Sequence, residues 1–255
     1  MKENKARWYS IIYVICLGLL ISSLPFSMFI NDEHIIFILE SISKIIAIIV
    51  VLYYIKKDNI RKFEIGESRK KDLLFIPLLF LCFSNYFVMI ECSNVILNDI
   101  PIYQIIYGIG NCLFTAVLEE LLFRFILLNE FLDTKKKIIA IGLSSIVFGL
   151  VHLLRIGSLA SIIPALVQVA YTSFLGLFLG IIYTCSKNLI YPILFHFCFN
   201  FINGFLIDNL FKLETSINYF IINILVGLIT LSYAVFIYYL FNKEDFKHVT
   251  KNMDI

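Results

Sequence analysis

Three charged side chains lie within six residues of one apolar stretch. They are Glu119, Glu120 and Arg124, in the run IGNCLFTAVLEELLFRFILLNEF at residues 109–131. The run is long enough to cross a bilayer, which takes about 20 residues. A charged side chain at membrane depth costs about 2.5–3.5 kcal/mol on insertion scales, so this cluster needs partners, water or both. An ionisable cluster at that depth indicates a functional site.

The spacing of the cluster separates its two glutamates. Glu120 and Arg124 are four residues apart, so they share a helix face and can form an ion pair. Glu119 lies about 100° round the helix and points elsewhere. We therefore predict a structural ion pair between Glu120 and Arg124, and we predict that Glu119 is the reactive carboxylate. An ion-pair network that only locks helices together is the alternative.

Two further residue pairs, each with at least one polar side chain, lie in other apolar runs. Phe148 and His152 are four residues apart, and so are His196 and Asn200. Polar side chains within an aromatic run must face protein or water rather than lipid, although a histidine near a helix end is often a packing residue. At about 1.5 Å per residue, Glu119 and both histidines lie roughly 14–24 Å from the lysines that end their helices. A carboxylate, two imidazoles and an amide at one depth predict a hydrolytic site.

The elements that must position these residues are transmembrane helices. Hydrophobic residues make up 60% of the chain and charged residues only 16%, which is typical of a polytopic membrane protein. We predict an all-α fold, because lipid admits only helices or closed barrels and the apolar runs are too long for barrel strands. About eight spans are expected, near residues 8–30, 35–55, 73–90, 105–131, 137–153, 159–185, 188–211 and 218–241. They should form one membrane-embedded domain over residues 1–255, with a catalytic core at about 105–205.

Lysine and arginine are distributed unevenly between the two sides of the predicted bundle. The N-terminal tail, the loop at 56–72, the segment at 132–137, the turn at 186–187 and the C-terminal tail carry 17 of them. The opposite loops carry only Arg155 and Lys212. Because positive charge stays on the cytoplasmic side, we predict a multi-pass protein of the cell membrane with both termini in the cytoplasm. The net charge of +2 gives no reason to expect a nucleic-acid partner.

A few other polar residues lie inside the predicted spans. Glu40 and Lys44 are four residues apart, and we expect them to form a structural ion pair. Gln168, Asn203 and Asp208 could line a cavity, but interhelical hydrogen bonding is the more common role for such residues.

The three motifs together resemble the CPBP family of intramembrane proteases, which comprises CAAX proteases and bacteriocin-processing enzymes and is also called the Abi family. That family has the motifs E-E-x-x-x-R, F-x-x-x-H and H-x-x-x-N/D on successive core helices. The matching residues here, in order, are Glu119, Glu120, Arg124, Phe148, His152, His196 and Asn200. The resemblance covers about residues 105–205. It implies an all-helical endopeptidase that cleaves membrane-associated peptides, with links to bacteriocin maturation or self-immunity.

The resemblance also implies a role for each catalytic residue. Glu119 would activate water as the general base, and His152 would position that water. His196 and Asn200 would stabilise the oxyanion of the tetrahedral intermediate. Glu120 and Arg124 would hold the helix geometry. No serine or cysteine shares a helical spacing with the histidines, so the sequence indicates no covalent nucleophile.

Two choices stay open at this point. The favoured mechanism needs no cofactor, whereas zinc bound by Glu119, His152 and His196 is the alternative. No H-E-x-x-H spacing supports the metal. The alternative functions are a non-catalytic membrane immunity or scaffold protein and, with less support, a transporter. The expected partners are membrane lipid and a membrane-associated peptide substrate.

Overall fold

The fold is known from a computed structural model, which describes residues 2–57, 70–86, 99–155, 162–210 and 217–243. Every regular element in these ranges is helical, in agreement with the predicted all-α fold. Several predicted features lie outside the described residues: positions 58–69 of the predicted cytoplasmic loop at 56–72, the end of the third predicted span at 87–90, Lys212 and the tail beyond 243. The side chains of Arg155 and Asp208 lie outside the description too.

Seven α-helical rods and one long 3-10 helix make up most of the described chain. The rods are α1 (Lys2–Ser22), α2 (Glu33–Lys57), α3 (beginning with Ile102–Glu120), α4 (Lys137–Leu150), α5 (Ile162–Ser186), α6 (beginning with Ile190–Cys198) and α7 (Ile217–Phe241). The 3-10 helix is Lys70–Phe83, at the position of the third predicted span. A short 3-10 segment, Val151–Arg155, continues α4.

Two of these rods contain a π-helical segment. In α3 the segment Leu121–Leu128 follows Glu120 directly, and an α-helical turn, Asn129–Thr134, completes the rod. In α6 the segment Phe199–Leu206 begins three residues after His196 and continues as Ile207–Leu210. Wide π-helical turns are rare and are found often at functional sites, because they redirect side chains relative to a regular helix.

The core of the bundle surrounds α3. All residues from 118 to 130 are buried, including the two glutamates and the arginine of the first motif. Helices α1, α2, α4, α5 and α6 all contact this rod, whereas the 3-10 helix and α7 pack together on the far side of α6 and α5. Ser144 of α4 donates a hydrogen bond of 2.8 Å to the Phe123 carbonyl within the π-helical segment. Charge and irregular backbone are therefore both kept inside protein, where they can be satisfied.

The N-terminal helix is attached to one end of α3. The predicted orientation assigns this end to the cytoplasmic side. Arg7 Nη2 lies 2.6 Å from Glu130 Oε2 and 3.9 Å from Asp133 Oδ2. Glu130 is buried, so this ion pair joins the start of α1 to the body of the protein. The other end of α1 runs toward the motif residues.

Lys44 of α2 contacts a second helix. Its ammonium group contacts the side-chain oxygen of Asn111 on α3. A spacing of four residues reports only on one helix, whereas this contact depends on the packing of α2 against α3. The ion pair between Lys44 and Glu40 stays a prediction.

Three helices are long and apolar enough to cross a membrane: Glu33–Lys57, Ala165–Ser186 and Ile224–Phe241. Shorter apolar helices cover Ala6–Ser22, Lys137–Leu153 and Ile190–Leu206. Large apolar side chains on the outer faces of α2 and α7, such as Ile49 and Ile229, are more than half exposed. These are the surfaces expected of a protein whose surroundings are lipid rather than water.

Helices α4 and α5 approach each other closely at two glycines. A Cβ atom on Gly149 would collide with the Ser173 hydroxyl and lie 2.6 Å from the Val169 carbonyl oxygen. One on Gly176 would lie 3.0 Å from the Ser145 Cα atom and 3.2 Å from the Phe148 ring. The two glycines let α4 seat Phe148 and His152 against the core.

Gly149→Ala should therefore destabilise the protein, although alanine normally favours a helix over glycine. The added methyl group must push α5 away, and overpacking of this kind costs about 1–3 kcal/mol. Gly142→Ala on the same helix is the matched control, because no atom lies within 4 Å of its Cβ position. Thermal unfolding in detergent should show a lower midpoint for Gly149→Ala and an unchanged or higher one for Gly142→Ala. Equal midpoints would mean that the two helices are not in close contact.

Candidate active site

His196 of α6 lies between the two glutamates of α3. Its Nδ1 atom is 2.8 Å from Glu120 Oε1, and its Nε2 atom is 3.6 Å from Glu119 Oε2. All three residues are buried, with exposed fractions of 2% for His196, 9% for Glu119 and 0% for Glu120. An ionised carboxylate can only accept hydrogen bonds, so the ring donates its Nδ1 hydrogen to Glu120 and turns Nε2 toward Glu119.

Arg124 holds the other side of Glu120. Its Nε atom lies 3.1 Å from Glu120 Oε2, and this ion pair is the one that the spacing of the sequence predicts. The two atoms are close enough for an ion pair but are not aligned as a hydrogen bond. The Nη2 group donates a hydrogen bond of 3.3 Å to the Gly176 carbonyl, which links α3 to α5. Glu120 is thus held by a cation on one side and orients His196 on the other.

Phe148 is the packing centre of the cluster. The Arg124 guanidinium carbon lies 4.5 Å from the centre of the Phe148 ring, a cation–π geometry. The His152 and His196 rings approach the same ring edge-on, at centroid distances of 5.5 Å and 5.8 Å. One aromatic side chain therefore fixes the separation of both histidines and supports the arginine.

Glu119 and His152 face a common cavity. The cavity has a volume of about 90 Å³ and is lined by Leu19, Ser22, Ser23, Lys44, Thr115, Leu118, Glu119, Val151 and His152. His152 stands on the 3-10 end of α4, and its Nδ1 atom is 3.0 Å from the Phe148 carbonyl oxygen. A water molecule needs about 10–15 Å³ by a comparable measure, so several would fit. The walls come from α1, α2, α3 and α4.

Asn200 takes no part in these contacts. It lies half-buried in the π-helical segment of α6, and no hydrogen bond joins it to another described residue. The next asparagine, Asn203, is buried instead in a polar junction between helices. Its side-chain oxygen accepts hydrogen bonds from the Ser84 hydroxyl and the Asn85 backbone, and its side-chain nitrogen donates to the Tyr171 hydroxyl. Asn203 therefore has the interhelical role expected of it.

A comparison with protein-family models identifies the segment that carries the cluster. Residues 101–202 match the family described as type II CAAX prenyl endopeptidase Rce1-like. This segment is similar to a CAAX protease domain. The family assignment drawn from the three motifs is confirmed, and with it the prediction that the protein is a protease. Searches of curated proteins and of solved structures gave no match.

In the matched segment, contacts between side chains of different helices bring the motifs together. The spacing of the motifs does not predict these contacts. The contact between Glu120 and His196 joins positions 76 residues apart, and no sequence signal indicated it. Ser144 and Gly176, which support the π-helical segment and Arg124, also went unnoticed in the sequence. The signal for Phe148 was present, because an aromatic residue one turn before His152 can pack on its ring.

The fit of a zinc ion can be judged from the same geometry. Two ligand atoms on a tetrahedral zinc ion lie roughly 3.3–3.6 Å apart, so the 3.6 Å between His196 Nε2 and Glu119 Oε2 would suit two ligands. A zinc site of this class needs a third protein ligand. No group of three His, Cys, Asp or Glu side chains in the described ranges has a metal-binding arrangement. The three candidate ligands Glu119, His152 and His196 therefore do not fit zinc as they stand.

Removal of the arginine should unfold the protein rather than only inactivate it. Arg124→Ala would leave the fully buried Glu120 without its cation, which costs about 3–5 kcal/mol. We expect the yield of folded, detergent-extracted protein to fall sharply.

The double variant Glu120→Gln/Arg124→Met tests the cause of that loss. It removes both charges and keeps the side-chain volumes, so much of the yield should return. Proteolysis should not return, because a neutral amide orients His196 less strongly than a carboxylate does. A normal yield for Arg124→Ala alone would contradict the structural role of the pair.

Proposed function

We propose that the protein is an intramembrane endopeptidase that hydrolyses membrane-associated peptides with a water molecule activated by Glu119. One observation carries the proposal: Glu119 and His152, from different helices, line one cavity of about 90 Å³, and His196 from a third helix contacts Glu119. Peptide hydrolysis in a membrane needs a confined water held against a base, and such a cavity supplies both.

The proposed reaction has two steps. Glu119 takes a proton from the water as the water oxygen bonds to the carbonyl carbon of the peptide. The carbon–nitrogen bond then breaks, and Glu119 returns the proton to the leaving nitrogen, so that a carboxylic acid and an amine are formed. His152 is well placed to hold the water, because its side chain lines the cavity beside Glu119.

His196 and Asn200 are the proposed hydrogen-bond donors to the oxyanion. They differ in whether a hydrogen atom is already available for donation. His196 already donates its Nδ1 hydrogen to Glu120, so donation to an oxyanion requires the doubly protonated ring. Asn200 has a side-chain amide with no protein partner in the described part of the chain, so it is free to turn toward substrate.

The proposed mechanism requires no metal. The lack of a third ligand near Glu119 and His196 supports this choice over the zinc alternative. Treatment with a strong chelator, followed by dialysis, should therefore leave the rate of cleavage unchanged. Loss of activity with chelator, and its return with added zinc, would favour the metal.

We further propose that the chain crosses the membrane about eight times, with both termini in the cytoplasm. The number of helical rods and the bias of 17 basic residues against two support this arrangement. The motif cluster would then lie inside the bilayer, with α3, α4 and α6 around it.

The proposed substrates are membrane-associated peptides, and the proposed physiological settings are bacteriocin maturation and self-immunity to a bacteriocin. Both settings need the same bond cleavage in a peptide held at the membrane. A non-catalytic immunity or scaffold protein would need the bundle alone, and a transporter would need polar residues along a path rather than around one small cavity.

Glu119→Gln should abolish cleavage without loss of protein. Loss of a general base lowers the rate by about 100- to 10,000-fold, and glutamine keeps the size of the side chain. The assay is cleavage of a lipid-anchored peptide library in proteoliposomes, read by mass spectrometry. Asp133→Asn, on the same rod but outside the cluster, is the control and should retain full activity. Wild-type cleavage by Glu119→Gln would exclude the proposed mechanism, and no cleavage by any form would favour a scaffold or transporter.

The proposed orientation predicts which side chains react with an impermeant thiol reagent. Single cysteines at Lys57 and Asp32, at the two ends of α2, should be labelled from opposite sides in a cysteine-free background. Lys57→Cys should react only in inverted vesicles, and Asp32→Cys only in intact cells. The reverse pattern would place the termini outside the cytoplasm.

A further inference from the structure

One hydroxyl group on the wall of the cavity beside Glu119 has no part in the proposed mechanism. Thr115 lies one turn before Glu119 in the α-helical part of α3, and both residues line the cavity together with His152. Residues four apart share a helix face, with Cβ atoms about 5–6 Å apart. Side chains on a helix lean toward its N-terminus, so the Glu119 carboxylate extends back toward the turn that carries Thr115. The two side chains therefore face the same part of the cavity.

The Thr115 hydroxyl is not bound to its own helix, in contrast to the other threonines in the described ranges. A helical threonine commonly donates a hydrogen bond to the carbonyl oxygen one turn earlier. Four threonines do so here, at distances of 2.6–3.4 Å: Thr134, Thr172, Thr184 and Thr230. Thr115 makes no hydrogen bond with another described residue. Its hydroxyl is thus left for a molecule in the cavity.

The other two hydroxyl groups on the cavity wall donate to their own backbone. Ser22 and Ser23 of α1 donate hydrogen bonds of 3.0 Å and 2.7 Å to the Leu19 carbonyl. Among the residues that line the cavity, Thr115 is therefore the one whose hydroxyl hydrogen is not used by the described part of the protein. Thr115 is half-buried, and a polar group in such a position is normally satisfied by protein or by water.

The reacting water of the proposed mechanism has a hydrogen-bonding position still to fill. A water molecule has two hydrogens and two lone pairs. Glu119 takes one hydrogen, and one lone pair bonds to the peptide carbon. One hydrogen and one lone pair remain, of which His152 takes one. A hydroxyl group both donates and accepts, so Thr115 can fill whichever position His152 leaves.

The spacing of Thr115 and Glu119 suits a water molecule between them. Hydrogen bonds between oxygens are about 2.7–2.8 Å long, so a tetrahedral water joins two oxygens about 4.5 Å apart. Side chains whose Cβ atoms are about 5–6 Å apart can place two oxygens at that distance. No direct hydrogen bond joins Thr115 to Glu119 in the structure as described, which leaves room for the water.

We propose that the Thr115 hydroxyl holds the water molecule that Glu119 activates. This inference rests on the proposed function. Glu119 takes the proton from the water, whereas Thr115 neither gains nor loses one. The hydrogen bond from Thr115 fixes the direction of the lone pair that bonds to the peptide carbon. Orientation of this kind acts on the chemical step and leaves the binding of the peptide unchanged.

The test replaces Thr115 by valine, which keeps the shape of the side chain and removes the hydroxyl. In proteoliposomes with the best substrate from the peptide library, Thr115→Val should lower kcat about 3- to 10-fold, the factor that corresponds to one net hydrogen bond. KM should stay within about twofold of the wild-type value. Thr115→Ser keeps the hydroxyl and should retain kcat within about twofold.

Thr184→Val is the matched control. Thr184 is also a half-buried helical threonine, but its hydroxyl donates to the Gly180 carbonyl and lies outside the cavity. This variant should keep the wild-type kcat and KM. Thr115→Ala is a second variant without the hydroxyl, and alanine is the best helix former. It should show the same fall in kcat, so the inference is tested even if Thr115→Val does not fold.

Three results would overturn the role of Thr115 and leave the peptidase intact. The first is a wild-type kcat in Thr115→Val. The second is a raised KM with unchanged kcat, because the hydroxyl would then contact the peptide and not the water. The third is an equal loss of kcat in Thr115→Val and Thr115→Ser, which would assign the effect to the shape of the side chain. Failure of the wild type to cleave any peptide would instead remove the proposed function and this inference together.

Discussion

The buried ion pair between Arg124 and Glu120 is the constraint on which the rest of the site depends. Both side chains are almost fully removed from solvent, so neither charge can be lost without stranding the other. The surrounding contacts each hold one member of this pair. The Gly176 carbonyl and the Phe148 ring hold the guanidinium, and the ring of His196 holds the free carboxylate oxygen of Glu120. The geometry of the cluster therefore follows from a buried charge that the protein must satisfy.

That arrangement also explains why adjacent glutamates can differ in role. Glu120 is enclosed between a cation and an imidazole, and its environment leaves no space for a substrate. Glu119 contacts the same imidazole but also lines the cavity of about 90 Å³. One residue of helical rotation, about 100°, thus separates a carboxylate enclosed by protein from one that lines a cavity. His196 couples the two, because the hydrogen bond on one side of its ring determines what the other side can do.

Much of this site could be predicted from the sequence, because its motifs obey the periodicity of a single helix. The pairing of Glu120 with Arg124 and the approach of Phe148 to His152 follow from a spacing of four residues. Contacts between helices did not follow from it. The link between Glu120 and His196, and the contact of Lys44 with Asn111, depend on how helices rotate against each other. The residue pattern of one helix does not determine how that helix is rotated against its neighbours.

Because two rods contain π-helical segments, the geometry of the site depends on how many residues each helical turn holds as well as on the residue types. Such a segment holds one residue more than an α-helix of the same rise. If the same residues were wound as a regular α-helix, the extra residue would rotate everything beyond the segment by about 100°. Glu119 and Glu120 would stay in place, but Glu130 would turn away from Arg7 and release the N-terminal helix that walls the cavity. The winding of Leu121–Leu128 therefore determines whether the cavity keeps that wall.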